Sequence, residues 1–523
     1  MATPAPVLSF TSVNPATGQV VVRVEGTPLE ALAEVMARAR RAQAAWASMP
    51  LDLRCDQVEN LAEVLYARRE ELADLVTRET GKPKAEALFA DVLIALEAAK
   101  YYDNQAEDIL AGESVPHQNL VAKTKRGRLT YLPLGVIAII SPWNYPLAIP
   151  LTQMIAAVVG GNSVILKPSE VTPGCGQAIA ECFAAAGFPA DVVQVIQGGS
   201  DLGAALIEER PDKVVFTGST AAGKQVAAAC ARHLIPSVLE LGGKDAMLVL
   251  ADADVEAASS AAVWGAFTNC GQACISIERI FVDATIAGRF TQGVVEKTRQ
   301  LRLGPGSDAD TEIGPLIDPR AADRVESLVR EAAAGGAEIL AGGNRRTDLG
   351  PCYFEPTVVT NVNQRMALMR EPVFGPVVAI ESVSSAEEAV ARTNECAYGL
   401  SASIWTANAA GASEIGAQVR NVGAVMVNDV ASYFGIVEAP HGGKGASGWG
   451  RTHSRLGLLE MVQVRYTDVD WLPRRPKTWW FGYDQALLDV ARHFIDFAHA
   501  PVWRKRWRGA AGAVRALFRG HRI

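Results

Sequence analysis

The sequence predicts an α/β protein with two doubly wound domains, a β-rich arm and a C-terminal helical extension. Short apolar strands alternate with helical segments from residue 136 onward, and this alternation produces parallel sheets covered on both faces. At 523 residues the chain is too long for one hydrophobic core. Apolar residues make up 49% and charged residues 20%, the composition of a globular enzyme.

The first part of the chain has a helical pattern. From about Pro28 to Leu110, segments rich in Ala, Leu, Glu and Arg are separated by Pro50 and by Gly81-Lys82-Pro83. Residues 121–134 alternate polar and apolar side chains, which is typical of an exposed strand or hairpin.

The strand–helix alternation follows in two series. In the first, strands are predicted at Val136–Ile140, Ser163–Leu166, Val192–Val195 and Val214–Phe216, with helices at Leu151–Val159, Gly176–Ala186 and Lys224–Arg232. In the second, after Gly243, strands are predicted at Ala246–Val249, Arg279–Val282, Val377–Ile380 and Ala424–Asn428, with helices at Val255–Phe267, Thr291–Leu301 and Ala321–Ala334.

The C-terminal segment 473–523 is amphipathic and basic. An aromatic cluster (Trp479, Trp480, Phe481, Tyr483) precedes apolar residues at helical spacing (Leu487, Leu488, Ala491, Phe494, Ile495, Ala498). The last residues contain Trp503, Trp507, Leu517 and Phe518, and seven basic side chains with no acid: Arg504, Lys505, Arg506, Arg508, Arg515, Arg519 and Arg522. Two interpretations stay open: contact with an anionic membrane surface, or packing on this subunit or a neighbouring one.

Charge and cysteine content narrow the possible classes. A net charge of −7 gives no indication of nucleic-acid binding. Eight scattered cysteines form neither a disulfide framework nor a metal-binding pattern. The N-terminus lacks the basic start and apolar run of a signal peptide, and prolines interrupt the apolar stretch Gly135–Val159. We therefore expect no metal and a cytoplasmic location, peripheral at the inner face of the membrane if the C-terminal segment contacts lipid.

A glycine-containing loop, Gly218 to Lys224, follows one predicted strand and opens a helix. Such a turn presents backbone amides to a phosphate. A nucleoside-triphosphatase loop needs Ser or Thr after the lysine, and this chain has Gln225. By itself the loop does not decide between a kinase-like and a dinucleotide-binding protein.

Three polar side chains have the chemistry needed to act on a carbonyl group. Cys274 lies in Asn269-Cys-Gly-Gln-Ala-Cys274, Glu240 opens Glu-Leu-Gly-Gly-Lys244, and Asn144 lies on a proline-bounded turn. A lone cysteine is more often a core residue than a nucleophile. A thiol, an amide donor and a carboxylate base together permit thioester chemistry.

The motifs PWN (142–144), KPSE (167–170), FTGS (216–219), ELGGK (240–244), NCGQACIS (269–276), EPVFGPV (371–377) and GGKGASGWGR (442–451) occur in this order. Over about residues 12–470 the chain resembles the aldehyde dehydrogenase superfamily. The segments ACISIER and APHGGKGASGWGR are most similar to its succinate-semialdehyde dehydrogenase-like branch.

The resemblance implies a mechanism. Cys274 attacks the aldehyde, Asn144 and the Cys274 backbone N–H hold the oxyanion, and Glu240 activates water to hydrolyse the thioester. It implies NAD as cofactor, with NADP as the alternative, since Glu170 repels a 2′-phosphate and Lys167 can offset it. The cofactor-binding residues implied are Trp143, Lys167, Glu170, Gly218, Ser219, Gly223, Leu241, Glu371 and Phe374.

The resemblance also divides the chain: residues 1–120 and 135–243 bind the dinucleotide, 244–440 form the catalytic domain, and 121–134 with 459–472 form the oligomerisation arm of a homodimer or homotetramer. A substrate funnel is implied at Tyr145, Ile149, Gln153, Ala273, Ile275, Tyr433 and His441. This mostly apolar lining, with no clear arginine clamp, favours a medium-chain, long-chain or other lipophilic aldehyde. The alternatives are a succinate-semialdehyde dehydrogenase, a relative that passes the acyl group to coenzyme A, and a non-catalytic binding protein of the same fold.

Four positions differ from common family usage or add to it. His441 replaces a frequent Phe, either as a structural residue or as a polar contact to substrate. Thr452 and Gln153 stand where many relatives carry a relay Glu and some carry a Lys, so we expect Glu240 to release its proton through water. Cys270 lies four residues before Cys274; if that segment is helical, the two thiols share a face and can form a redox pair, the alternative being a packed bystander.

Overall fold

The computed structural model describes residues 8–119, 122–473 and 480–518, the last three of them by backbone alone. Its fold is mixed α/β with two large, mostly parallel sheets, as the sequence predicts. The chain forms two compact units. The first runs up to Ala111 and includes Tyr131–Gln463, and the second consists of Gly112–Thr130 with the chain from Val464 onward.

The first unit begins with a hairpin that the sequence pattern missed, followed by the predicted helices. Strands β1 (Ser9–Val13) and β2 (Val20–Glu25) pair antiparallel. The helices are α1 (Leu32–Ser48), α2 (Leu51–Ala67), α3 (Arg69–Thr80), α4 (Lys84–Ala87) and α5 (Leu93–Leu110). Gly81 ends α3 with φ +82°, where a side chain would also meet two proline rings. A π-helical turn, Leu88–Val92, joins α4 to α5.

A six-stranded sheet follows, in the order β19-β9-β8-β5-β6-β7. Its strands are β5 (Val136–Ile140), β6 (Ser163–Lys167), β7 (Val193–Val195), β8 (Lys213–Gly218), β9 (Ser237–Leu241) and β19 (Gly448–Trp449), and its helices are α6 (Ala148–Val159), α7 (Pro173–Ala185), α8 (Ser200–Glu208) and α9 (Thr220–Arg232). Only β19 runs antiparallel to its neighbour.

Alternate side chains of this sheet enter different cores. Ile137 and Ile139 pack in one apolar cluster, whereas Ala138 and Ile140 pack in another. Burial on both faces explains the continuous apolar strands of the sequence. The chain winds outward from β5 in both directions, so a crevice forms where the loops after β5 and β8 separate.

The second sheet has seven strands in the order β12-β13-β14-β11-β10-β16-β17, parallel except for the β12–β13 pair. These are β10 (Asp245–Val249), β11 (Ile277–Asp283), β12 (Glu338–Ala341), β13 (Thr357–Thr360), β14 (Val377–Val383), β16 (Ser401–Trp405) and β17 (Ala424–Val427). The helices are α10 (Val255–Phe267), α11 (Ala287–Gln300), α12 (Pro319–Ala334), α13 (Ala367–Arg370), α14 (Ala386–Asn394), α15 (Ala409–Gln418) and α16 (Ser454–Leu459); a small pair, β15 (Tyr398–Gly399) and β18 (Lys444–Gly445), lies beside them. The sequence pattern missed β16, because Ser401 and Ser403 interrupt its apolar run; their hydroxyls bond to Asp245 and to the carbonyl of Asp429.

The second unit contains a three-stranded antiparallel sheet and a helical hairpin. The sheet order is β20-β4-β3, from β3 (Glu113–Val115), β4 (Lys125–Pro133) and β20 (Val462–Asp470). Beyond it, α17 (Gln485–His499) is N-capped by Asp484, whose carboxylate accepts from the Leu487 amide. Gly509 of α18 (Trp503–Phe518) lets that helix approach the backbone of α17 closely. Among the described helices, none has the length and apolarity needed to cross a membrane.

Candidate active site

Asn144 is held rigidly at the carboxyl end of β5. Its side-chain amide donates to the Gln272 carbonyl at 3.0 Å, and its own carbonyl accepts from Lys82 Nζ at 2.8 Å and from Asn269 Nδ2 at 3.1 Å. Asn144 is only 3% exposed. The loop after β5 is therefore tied both to the chain around Cys274 and to a buried lysine.

Cys274 follows α10 on a turn of unusual backbone conformation. Asn269, Cys270 and Gly271 have φ values of +50°, +56° and +69°. A side chain at Gly271 would lie 2.2 Å from the Gly375 carbonyl oxygen, so this tight turn needs glycine. Cys274 is partly exposed, whereas the other seven cysteines are buried.

The condition for a Cys270–Cys274 redox pair is not met. The segment is a 3₁₀ turn with left-handed residues and not an α-helix, so the two thiols do not share a helical face. Cys270 is 2% exposed and packs in the core of the second sheet. The structure places it as a packed bystander.

Glu240 lies near the end of β9 and is 4% exposed. No described protein group hydrogen-bonds to either carboxylate oxygen. Burial raises the pKa of Glu240 well above its usual range, and the positive charge of Arg451 only partly opposes this. Such a carboxylate can accept a proton near neutral pH.

Gly243, three residues after Glu240, lies too close to the Cys274 backbone to carry a side chain. A side chain at Gly243 would lie 2.3 Å from the carbonyl oxygen of Cys274. The Glu-Leu-Gly-Gly loop therefore packs directly on the backbone that carries the thiol. Burial, followed by the charges of Asp245 and Glu240, raises the pKa of Cys274 to about 12, so the protein alone favours the neutral thiol.

One cavity of about 710 Å³ brings these three groups together. Most of the predicted site residues line it: Trp143, Asn144, Tyr145, Ile149, Gln153, Gly218, Ser219, Glu240, Leu241, Ala273, Cys274, Ile275, Glu371, Phe374 and His441. Predicted funnel residue Tyr433 is buried beside it and stacks on His441 with ring centres 5.4 Å apart. Gln153 donates to Thr217 Oγ1 at 3.1 Å.

A second cavity of about 210 Å³ lies at the ends of β5, β6 and β8. Lys167 and Glu170 line it, with Lys167 Nζ 3.0 Å from the Glu170 carboxylate. Gly223 lines neither cavity; a side chain there would collide with Leu241. Its contribution is close packing of α9 on β9.

Ser219 is the N-cap of α9, its hydroxyl accepting from the Ala222 amide at 3.2 Å. It thus fixes the start of the helix that faces the larger cavity.

A buried ion pair fixes the loop that carries Phe374. Glu278 accepts from the amides of Val373 and Phe374 and forms an ion pair with Lys244. Phe374 has φ +53° and contacts the Trp143 ring edge-to-face at 5.6 Å. Aromatic groups thereby enclose the end of the cavity near Glu371.

Several residues of the site have no signal in the sequence that identifies them. Lys82 forms a fully buried ion pair with Asp91 at 2.7 Å, under Asn144. The π-helical turn brings Phe89 and Ala90 to the cavity wall, where Trp264, Phe434 and His453 also lie. The sequence around them predicts local structure only; Gly81-Lys82-Pro83, for example, predicts a break between helices. No pattern in it indicates that these residues lie near Cys274.

Comparisons with known proteins identify the family. A sequence model described as the aldehyde dehydrogenase family matches residues 4–467. A protein of Mycolicibacterium smegmatis, provisionally named succinate-semialdehyde dehydrogenase (NADP+), is 39% identical over 449 residues, covering 86% of each chain. A Methylomonas protein named 4,4′-diapolycopene aldehyde oxidase is 34% identical over 497 residues, covering 94% of this chain and 91% of the relative.

Solved structures give the same result. An NAD-dependent aldehyde dehydrogenase from Sinorhizobium meliloti superimposes with a TM-score of 0.86 at 34% identity, covering 90% of this chain and 93% of that chain. An aldehyde dehydrogenase from Bacillus cereus, solved as its NAD+ complex, gives 0.84 at 33% identity, covering 88% and 93%.

Proposed function

The chain belongs to the aldehyde dehydrogenase family, and we propose that it oxidises a lipophilic aldehyde to its carboxylic acid with NAD(P)+. The observation that carries this proposal is the wall of the cavity that contains Cys274. Apolar and aromatic side chains form it, including Phe89, Ile94, Ile149, Trp264 and Phe434.

In the first step, the Cys274 thiolate attacks the aldehyde carbon and a C–S bond forms. The Asn144 amide and the Cys274 backbone N–H stabilise the resulting oxyanion. Removing one such donor typically costs about 100- to 1000-fold in rate. As the oxyanion collapses to a thioester on Cys274, the C–H bond of the former aldehyde carbon breaks and its hydride leaves to a two-electron acceptor, the chemistry that a bound nicotinamide would supply. The positive charge of that ring would also favour the Cys274 thiolate over the neutral thiol.

In the second step, Glu240 accepts a proton from water as the water oxygen bonds to the thioester carbon. The C–S bond breaks, the acid leaves and the Cys274 thiolate is restored. A positioned base typically contributes about 10²- to 10⁴-fold. The presence of this base argues against transfer to coenzyme A.

The described residues fit a nicotinamide dinucleotide. Lys167 and Glu170 would hold the adenosine ribose in the smaller cavity. Ser219 and the start of α9 would meet the pyrophosphate, because helix N-termini attract anions. Glu371 and Phe374 would hold the nicotinamide end.

The alternative substrate, succinic semialdehyde, needs a partner for its second carboxylate. Among the described residues lining the larger cavity, Arg324 is the only Lys or Arg, and its guanidinium donates to the Pro372 carbonyl next to Glu371. A carboxylate facing the apolar wall instead would carry a large desolvation cost. The name of the Mycolicibacterium relative favours this substrate, whereas the cavity wall favours an apolar one.

The Methylomonas relative adds support for a lipophilic substrate. A match that covers 94% of this 523-residue chain must extend into α17, so the similarity includes part of the C-terminal extension. That relative is named as an oxidase of 4,4′-diapolycopene aldehyde.

The test is a kcat/KM series from short to long linear aldehydes, with succinic semialdehyde included and NAD(P)H absorbance as readout. Burying one CH₂ contributes about 0.8 kcal/mol, which predicts an increase of up to about fourfold per carbon. Trp264→Ala should flatten this slope while sparing the shortest aldehyde. The highest kcat/KM with succinic semialdehyde would favour a succinate-semialdehyde dehydrogenase. No turnover with any aldehyde would favour a non-catalytic binding protein of the same fold.

We also propose that the helical hairpin α17–α18 contacts an anionic membrane at its inner face. Trp503 and Trp507 are 65% and 70% exposed, and Ile495 on α17 is 60% exposed. Five described basic residues of α18 accompany them without an acid: Arg504, Lys505, Arg506, Arg508 and Arg515. Interfacial aromatics with basic charge suit an anionic bilayer surface. Trp479, Arg519, Arg522 and the side chains of Leu517 and Phe518, also named in this interpretation, lie outside the described residues.

Vesicle sedimentation tests the membrane proposal. Full-length protein should pellet with phosphatidylglycerol vesicles but not with phosphatidylcholine vesicles, and binding should weaken with salt. A chain lacking residues 473–523 should stay in the supernatant. Equal binding by both proteins, or none by the full-length protein, would contradict the proposal and favour packing against protein.

We further propose that the three-stranded sheet mediates a homodimer or homotetramer. β20 is an edge strand, and its Val464 and Tyr466 are 54% and 48% exposed. An exposed apolar edge strand is a template for pairing with another chain. Light scattering should give a multiple of the 55.6 kDa chain mass, and Val464→Lys should lower it.

A further inference from the structure

Two buried histidines lie beside the proposed base. His441 Nε2 is 3.8 Å from the Glu240 carboxylate, and both side chains are 5% exposed. The His453 ring lies next, with its centre 5.8 Å from that of His441. All three residues line the cavity that contains Cys274.

The polar atoms of this group are buried without protein partners. Among the described residues, none hydrogen-bonds to either oxygen of Glu240, to His441 Nδ1 or to His453 Nδ1. Buried polar atoms are normally satisfied, by water where no protein group is near. The separation of 3.8 Å closes to a hydrogen bond with a shift of about 1 Å, or admits a bridging water.

Packing fixes the orientation of both rings. The backbones of His441 and Thr452 exchange two hydrogen bonds of 2.8 Å each, and Tyr433 stacks on the His441 ring. Phe434 lies 5.2 Å from the His441 ring and 5.0 Å from the His453 ring. His453 itself is held at φ +60°, a strained conformation for a side-chain-bearing residue.

We propose that His441 receives the proton that Glu240 takes from the hydrolytic water, directly or through one bridging water, and passes it on toward His453 and solvent. The inference rests on the proposed role of Glu240. Thr452 lacks the carboxylate that many relatives carry, and on that ground the sequence predicted that Glu240 releases its proton through water alone. The proposed route through His441 replaces that prediction. His441 acts through Glu240 and is therefore a positioning residue.

The proton balance is simple. Glu240 loses the proton it gained and returns to the carboxylate; His441 gains one at Nε2 as another leaves Nδ1. No electrons are transferred, and the original tautomer is restored by exchange with cavity water.

The charges around His441 favour passage over storage of the proton. Burial, then His453 and Arg451, lowers the pKa of His441 to about 3, and burial lowers the pKa of His453 to about 4. The carboxyl group of Glu240 faces the ring from β9. The other titratable neighbour, Tyr433, is neutral because burial raises its pKa well above 10. Both rings are thus neutral at rest, with one nitrogen able to accept and one able to donate.

The test is the deacylation step of His441→Phe, followed as NAD(P)H burst and as acyl-enzyme mass after acid quench. The ring packing is retained and both nitrogens are lost. We expect deacylation to slow by about tenfold or more and a burst to appear, with kcat and KM falling together while the burst rate and kcat/KM stay near wild type. Added imidazole, or Thr452→Glu in the same chain, should restore part of the rate.

If His441 only packs, His441→Phe should deacylate at the wild-type rate, because an aromatic ring still fills the site. If His441→Phe does not fold, His441→Gln replaces it in the test. Glutamine also lacks a relaying ring, so we expect the same deacylation defect. Wild-type deacylation in a folded His441→Phe protein would overturn the proposal. His453→Phe should slow the same step, and an unchanged rate there would overturn the second half of the route. If wild-type protein shows no NAD(P)H formation with any aldehyde, the proposed function itself fails, independently of the relay.

Discussion

The buried pair Lys82–Asp91 gives the most quantitative prediction. Both side chains are 0% exposed, and Lys82 Nζ lies 2.7 Å from the Asp91 carboxylate. The Lys82 ammonium also donates to the Asn144 carbonyl and lies 3.9 Å from the centre of the Tyr145 ring. One cation therefore joins an α4–α5 turn to the loop that carries the proposed oxyanion donor.

Lys82→Met removes this cation and leaves Asp91 buried. The Asp91 carboxylate keeps only the amides of Leu147 and Ala148, each at 3.1 Å. Breaking a buried pair on one side costs about 3–5 kcal/mol in the free energy of unfolding. The Asn144 carbonyl also loses its charged donor, so we expect kcat to fall by about ten- to a hundredfold through misplacement of the amide.

The assay is urea unfolding followed by fluorescence, together with steady-state kinetics. Lys84→Met is a matched control two residues away, because Lys84 pairs with Glu70 and Asp74 on the surface. That control should leave stability nearly unchanged. Lys82→Met/Asp91→Leu should recover only part of the lost stability, because the amides of Leu147 and Ala148 lose their acceptor, and should not recover kcat. Equal stability of the Lys82→Met and Lys84→Met proteins would refute the reasoning.

Three further predictions concern the chemistry. Burial raises the pKa of Glu240, so the carboxylate that accepts a proton is lost as the pH falls through that raised pKa. The acid-side decline of kcat should therefore lie at a higher pH than the pKa range of ordinary carboxylates. Glu240→Gln should lower the rate of hydrolysis by about 10²- to 10⁴-fold, and the acyl-enzyme should accumulate in mass spectra. Cys274→Ser should lose about a thousandfold or more in NAD(P)H formation, whereas Cys270→Ser should keep activity and show unchanged peroxide inactivation; protection by Cys270→Ser would revive the redox pair. Glu170→Gln should raise the NADP+/NAD+ ratio of kcat/KM by about five- to tenfold, because Lys167 then faces a 2′-phosphate without a competing carboxylate; an unchanged ratio would show that Glu170 does not select the cofactor.

Much of the fold could be predicted because its determinants are local. Apolar runs such as Val136–Ile140 are continuous, since both faces of the sheet are covered. Elements whose stability depends on distant partners were missed. The strand Ser401–Trp405 looks polar until its serine hydroxyls bond to Asp245 and the Asp429 carbonyl.

The ordered motifs of the sequence by themselves determined the family, and the same motifs single out Asn144, Glu240 and Cys274 as the proposed catalytic residues. Only the tertiary structure decided what surrounds them. No feature of the neighbouring sequence distinguishes Lys82, which is buried in the fold, from Lys84, which lies at the surface. Likewise, His441 and Glu240 are far apart in the chain and meet only because β19, seven residues after His441, pairs with β9, which carries Glu240. Burial and charge pairing are properties of the assembled core, and they set how the residues named by the sequence can act.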